Sequence, residues 1–175
     1  MKQYKFFKGY IYTQIQTSLH KMWVFWYICK FCFRSNYNRK ILLLFMAILH
    51  DLSKYSWVEA KGFAKTIFDL KSSTYGSEEY NQLLAILKPC LNHHYSKNPH
   101  HPEFYTNGFK EMPEIRKIEM VADWMAATKR HHNGNIYDSL EINQKRFGYS
   151  NEDKMELKAI VEIMRGNFNF LIQRQ

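Results

Sequence analysis

The sequence has few cysteines, and their positions exclude a fold held together by disulfide bonds. Only Cys29, Cys32 and Cys90 occur among the 175 residues. An odd number of cysteines, without the spacing of a disulfide framework, is typical of a protein in a reducing compartment. Cys29 and Cys32 form a CxxC pair, but a zinc site would need a second pair and a redox motif would need a βαβ pattern. We therefore interpret all three as packing residues.

Long hydrophobic runs are also missing. The most apolar stretch, Met22–Phe33, is far shorter than the roughly 20 residues of a membrane-spanning helix and contains Lys30. The first residues carry scattered lysines and no compact apolar run that ends in small residues, so they do not resemble a secretory signal. We expect a cytoplasmic protein, in the host cytoplasm if the source is viral, with no membrane as its partner.

Alternating polar and apolar residues, the mark of β-strands, are scarce, and there is no internal repeat or Gly/Ser-rich linker. Helical patterns run along most of the chain. With 46% hydrophobic and 17% aromatic residues, the chain can bury a substantial core. The sequence therefore predicts an all-α fold, a single compact helical domain over residues 1–175.

The charge balance favours anionic partners. There are 25 Lys and Arg against 16 Asp and Glu, a formal net charge of +9. Small anionic molecules, nucleic acid and acidic membranes all fit this balance, although an AT-rich coding sequence produces the same composition without selection on charge. We expect a small anionic substrate, with nucleic acid possible but not favoured.

One apolar run ends in two polar residues. Residues 41–49 predict a buried helix with Ile41, Leu44, Phe45 and Ile48 on one face, and His50 and Asp51 follow directly. Adjacent residues on a helix point about 100° apart, so this pair could reach two different ions.

Further helix signals place the other histidines and acids. Ser77 predicts the N-cap of a helix that reaches His93 or His94 and kinks or restarts at Pro89. The loop after it contains the third group of candidates: His100, His101 and Glu103.

The last third of the chain predicts three helices. Pro113 suits the first turn of a helix through Glu119 and Asp123 to a stop at Asn133-Gly134. A helix over residues 140–147 and one opened by the capping pattern at Ser150 follow.

Histidines and aspartates spread over several helices favour a metal site. Imidazole nitrogens and carboxylate oxygens together suit Zn, Fe or Mn, and ligands drawn from several helices are held rigidly. A single histidine is more often a surface or hydrogen-bonded core residue, so the argument depends on the set: His20, His50, Asp51, His93, His94, His100, His101 and Asp123.

The order of these residues resembles a known family. His20, then His50-Asp51 within HDLSK, then Asp123 within EMVADW, resembles the H…HD…D pattern of HD-domain metal-dependent phosphohydrolases. The run from NHHYSKNPHHPEFY to NQKRFGYS is similar to a family of small uncharacterised HD-like proteins of bacteria, phages and large viruses. The resemblance covers residues 20–149. At residues 105–109 the chain reads YTNGF, which departs from the HD-GYP phosphodiesterases.

The resemblance implies a dinuclear site. His20, His50, Asp51 and Asp123 would hold the first ion. His94, preferred over a solvated His93, would hold the second with one or both of His100 and His101. Lys54, in the HDxxK position, would contact phosphate. Asp51 and Asp123 would position the attacking water.

Glu103 would orient a metal-bound histidine or act as general acid or base. The His131-His132 pair is interpreted as solvated.

The resemblance implies hydrolysis of a nucleotide-like phosphomonoester or phosphodiester. A di-iron oxygenase of the myo-inositol oxygenase type uses the same ligand types and stays open. So does a non-catalytic nucleotide-binding module.

Overall fold

A computed structural model describes residues 2–73, 77–130 and 134–167 of the chain. Every regular element in these ranges is helical, so the all-α prediction is confirmed. The α-helices are α1 (Lys2–Arg34), α2 (Lys40–Leu49), α3 (Trp57–Ser72), α4 (Glu78–Lys97), α5 (Glu114–Thr128), α6 (Ile136–Phe147) and α7 (Asn151–Arg165). Short 3-10 turns lie at Leu52–Tyr55, Pro102–Phe104 and Gly108–Glu111.

The tertiary contacts group the chain into two compact units. The first unit comprises Met1–Leu19 and Asp51–Asn98, and the second comprises His20–His50 and Pro99–Gln175. The prediction of one domain over residues 1–175 stays a prediction.

Within the described ranges, no single helix is both long and apolar enough to cross a membrane. One bent pair of segments, Lys40–Tyr55 with Trp57–Leu70, passes the same test when the two are taken together, by length and composition only.

The first unit depends on a close approach of α3 and α4. A Cβ atom added to Gly62 on α3 would lie 2.9 Å from the Cβ of Cys90 on α4, so only glycine fits there. Pro89 lies inside α4, yet the helix continues past it to Lys97 and does not restart. Leu87 and Cys90 on either side of the proline are buried, and we attribute the continuity to this packing, which offsets the lost backbone hydrogen bond.

The second unit has a large apolar core built around α5. Nine of its residues are buried, among them Met120, Val121 and Ala122 with no exposed surface. Glu119 and Asp123 flank this apolar run one helical turn apart, so the same core that anchors α5 fixes both carboxylates. The predicted helix is therefore confirmed, although it ends at Thr128 rather than at Asn133-Gly134.

The face that α2 buries differs from the predicted one. Leu43, Met46 and Ala47 are buried, whereas Ile41, Phe45 and Ile48 of the predicted face are more than half exposed. Because the helix is apolar on every side, its periodicity does not distinguish a core face from an outer face. The expectation of a buried helix was thus wrong for half of its surface.

The C-terminal helices follow the capping signals of the sequence. Ser150 accepts from the backbone N–H of Asp153, and Asp153 accepts from the backbone N–H of Ser150, the reciprocal pair that the sequence predicts. The α6 helix begins at Ile136, four residues before the predicted start. The three cysteines are free thiols, as expected of packing residues.

Candidate metal centre

The His50-Asp51 pair lies in the turn that ends α2, not on the helix as predicted. His50 follows the last helical residue with φ of -49° and ψ of 132°, and Asp51 adopts left-handed backbone with φ of 55°. Asp51 is the sole non-glycine residue with positive φ in the described ranges. Such backbone is uncommon for residues with a Cβ and concentrates at functional sites. Lys21 donates to the carbonyl of His50 and, at 3.2 Å, to that of Ile48.

Three predicted ligands meet in the second unit, and we call them the His20 cluster: His20, His50 and Asp123. The Nε2 of His20 donates to Oδ1 of Asp123 at 2.7 Å, and the Nε2 of His50 lies 3.6 Å from the same oxygen. All three residues are buried. They come from α1, the end of α2 and α5, so elements distant in sequence fix the cluster.

The charge state of the His20 cluster favours a cation. Burial alone would raise the pKa of Asp123. The hydrogen bonds from His20 and His50, with the charges of His20 and His100, outweigh burial and hold this pKa well below its usual range. The carboxylate is therefore ionised at neutral pH, in a place where an unpaired charge would be costly.

Glu119 orients one of the imidazoles. Its Oε1 accepts from the Nδ1 of His50 at 3.0 Å, and its Oε2 accepts from Arg116 at 2.7 Å. Burial raises the pKa of Glu119, but the bond from His50 and the charges of His100, His50 and Arg116 lower it overall. With Nδ1 of His50 bonded to Glu119, its Nε2 is directed towards Asp123 at 3.6 Å. Metal-bound histidines are typically oriented in this way.

The first unit repeats this arrangement in the Glu59 cluster, which consists of Glu59, His93 and His94. The Oε1 of Glu59 lies 2.8 Å from the Nδ1 of His93, and Oε2 lies 2.9 Å from the Nδ1 of His94. Burial raises the pKa of the fully buried Glu59, but its hydrogen bonds to His94, Ser53 and His93 lower it overall. His93, interpreted as solvated from the sequence, is instead a half-buried partner of this carboxylate.

Asp51 belongs to the first unit beside His94. The Nε2 of His94 lies 3.4 Å from Oδ1 of Asp51, while Lys54 donates to Oδ2. His94 and His50 thus share one pattern: a buried glutamate holds Nδ1, and Nε2 lies near an aspartate oxygen. Ligand atoms about 3.0 to 3.4 Å apart are what tetrahedral or octahedral bonds of about 2.1 Å require. The buried donor set of the second unit could hold a divalent metal ion, and the first unit contributes Asp51 and His94 as further donors.

The other predicted site residues have varied surroundings. In the second unit, His100 is buried, with its ring centroid 4.2 Å from that of His50, and the half-buried His101 lies 4.2 Å from His100. His100, His50 and Glu119 form another group whose ligand atoms could hold an ion. Glu103 is exposed and paired with Arg146. His131 and His132 lie outside the described residues.

Comparison with known proteins gives a family. Residues 10–167 match the model of a family described as "Family of unknown function (DUF5662)". The chain belongs to this family. Searches of curated proteins and of solved structures each found no match. The matched range contains every residue of the His20 cluster and the Glu59 cluster in this DUF5662 member.

Sequence reasoning missed the two glutamates that orient histidines. Glu59 has no motif around it, and the histidines that it contacts are 34 and 35 residues away. Glu119 did give a signal, because it precedes Asp123 by four residues and so shares its helical face. Asn98, a third omission, is buried and donates to Ser53 at 2.6 Å and to the carbonyl of His94 at 2.7 Å.

Proposed function

We propose that this chain is an HD-type, metal-dependent hydrolase of a phosphate ester, with a nucleotide-like phosphomonoester or phosphodiester as substrate. The observation that carries the proposal is the His20 cluster, in which two imidazole Nε2 atoms lie 2.7 and 3.6 Å from one buried, ionised carboxylate oxygen. The H…HD…D resemblance assigns the same three residues as metal ligands.

The proposed ligands divide between two ions. His20, His50 and Asp123 hold the first ion, and the motif adds Asp51, which follows His50 in the chain. For the second ion the resemblance assigns His94 with His100 and His101. Support for His94 comes from its Nδ1 contact with Glu59, which directs Nε2 to Asp51. Fe, Mn and Zn all suit this mixed nitrogen and oxygen donor set.

Bound divalent ions in such a centre neutralise phosphate charge and lower the pKa of coordinated water. The side chains of the protein supply the remaining functions. Asp51 and Asp123 accept hydrogen bonds from the attacking water and hold its orientation. Lys54, whose ammonium contacts Asp51, provides positive charge for the phosphoryl oxygens. Glu59 and Glu119 fix the imidazole planes through Nδ1.

The test combines metal analysis with a substrate panel. Protein purified without added metal is assayed for bound metals, stripped with chelator, and reloaded with Mn²⁺, Fe²⁺ or Zn²⁺. Phosphate release from nucleotides and phosphodiesters is then measured with and without oxygen. Asp123→Asn removes the ligand charge at constant size, and Asp138→Asn on the exposed surface of α6 is the matched control.

We expect phosphate release that needs metal but not oxygen, reduced at least about a hundredfold by Asp123→Asn and unchanged by Asp138→Asn. Phosphate release by metal-free protein at the full rate would contradict the proposal. Oxygen consumption without phosphate release would assign the chain to the oxygenase alternative. Metal and nucleotide binding without turnover would assign it to the non-catalytic one.

A further inference from the structure

The second half of α1 has an apolar stripe that faces away from the core. Met22, Trp26 and Phe33 are 67%, 53% and 91% exposed. Their spacing of four and seven residues places them on one side of the helix. The opposite side, which includes Val24 and Ile28, is completely buried.

The α2 helix carries a second stripe of the same kind. Ile41, Phe45 and Ile48 are 86%, 55% and 58% exposed and again share one side. The buried residues of α2 lie on the other side. Both helices therefore bury one apolar face and expose another.

The two stripes lie side by side in the second unit. Lys21 on α1 contacts the end of α2 at Ile48, and Cys32 Sγ lies 3.9 Å from the carbonyl of Lys40 at its start, so the helices are antiparallel neighbours. Their buried residues contribute to one core cluster. The exposed stripes consequently share the outer side, and we call them the two-helix face: Met22, Trp26, Phe33, Ile41, Phe45 and Ile48.

The chain segment that carries this face has charges of one sign. Residues 20–50 include five basic residues and no aspartate or glutamate: Lys21, Lys30, Arg34, Arg39 and Lys40. In residues 1–50 there are eight basic residues and no acidic one, which leaves 17 basic and 16 acidic residues in the rest of the chain. The segment that carries this face thus has a net charge of +5. Lys30 also lies over the ring of Trp26, with 5.5 Å between Nζ and the centroid.

We propose that the two-helix face binds the surface of an anionic lipid bilayer. Exposed Trp, Phe and Ile residues bordered by lysine and arginine, without acids, are the composition of helices that lie in the membrane interface. Aliphatic and aromatic side chains enter the boundary between headgroups and acyl chains, and the lysine and arginine side chains contact anionic headgroups. A second copy of the chain fits less well, because two such faces would bring like charges together.

This binding mode differs from the single-helix spanning mode that was considered for Met22–Phe33. The stretch Met22–Phe33 is too short to cross a bilayer, which led to the expectation of no membrane partner. A helix that lies on the surface needs no such length. The sequence did not show which side of α1 and α2 is exposed, and that exposure changes the expectation.

The test is co-sedimentation of the full chain with vesicles. One set contains phosphatidylcholine alone and the other phosphatidylcholine with phosphatidylserine. A triple variant, Phe33→Ser, Ile41→Ser and Phe45→Ser, reduces the apolar face, and Ile142→Ser, 63% exposed on α6, is the matched control. Lys30→Gln with Arg39→Gln removes two charges. Circular dichroism confirms that each variant is folded, and size-exclusion chromatography without lipid measures self-association.

We expect binding to the anionic vesicles, weakened by salt and at least about tenfold weaker on neutral ones. The triple variant should lose at least about tenfold in partitioning. Each neutralised basic residue should lower partitioning onto the anionic vesicles about fivefold. The Ile142→Ser variant should bind like the wild type. Equal binding to both vesicle types, or none to the anionic vesicles, would overturn the proposal. So would a dimer that the triple variant dissociates, which would assign the face to self-association.

Discussion

The Oε1 of Glu119 accepts a hydrogen bond from the Nδ1 of His50 at 3.0 Å, between side chains 69 positions apart in sequence. This contact fixes the imidazole so that its Nε2 lies near Asp123. It makes Glu119 a positioning residue of the proposed metal centre.

Glu119→Gln should lower the affinity for the first metal ion by about 10- to 100-fold, the usual cost of losing a carboxylate that orients a ligating histidine. The amide keeps the size and one acceptor, so the fold should survive. Competition with a chromogenic chelator measures the affinity. Glu114→Gln, exposed on the same helix, is the control. An unchanged dissociation constant would remove Glu119 from the site.

Replacing Glu59 should destabilise the first unit. This fully buried carboxylate bonds to His93 and His94, so Glu59→Gln leaves at least one imidazole N–H poorly satisfied. We expect the free energy of unfolding to fall by about 1 to 3 kcal/mol, measured by urea denaturation. Glu79→Gln, on the exposed first turn of α4, should leave the midpoint unchanged. Equal midpoints for the two variants would show that the contacts contribute little.

The helices were predictable because their signals are local. The Ser150 capping pair and the Pro113 start depend on residues within one turn, and the structure confirms both. The outer face of α2 was not predictable, because every position after Lys40 is apolar and only tertiary packing selects the buried side. Similarly, the histidines could be found by their chemistry, whereas Glu59 is distinguished only by burial beside residues distant in sequence.

Lys54 tests the phosphate part of the proposal. Lys54→Met should reduce phosphate release by about 30- to 1000-fold, since it removes a charge-assisted contact worth about 2 to 4 kcal/mol in the transition state. Lys54→Arg keeps the charge beside Asp51 and should retain more activity. Metal content should stay at the wild-type level in both. Unchanged kinetics for Lys54→Met on a confirmed phosphate substrate would exclude the role.

Cys90 should be chemically inert in the native protein. Burial, and then the charge of Glu59, raise the pKa of its thiol to about 11, so at pH 8 only about 0.1% is thiolate. We expect iodoacetamide to modify Cys90 far more slowly than in urea, with the native rate rising about tenfold per pH unit below the pKa. Peptide mass spectrometry follows the modification. A native rate equal to that in urea would show that the thiol is accessible.

The measurement that tests the central claim most directly is the metal content per chain, determined by inductively coupled plasma mass spectrometry. Wild-type protein, Asp123→Asn and the surface control Asp138→Asn are purified without added metal. Our account predicts about two ions of Fe, Mn or Zn in the wild type and the control. It predicts loss of at least one of these ions in Asp123→Asn. Equal metal content in all three proteins, or no bound metal in the wild type even after reloading, would contradict it.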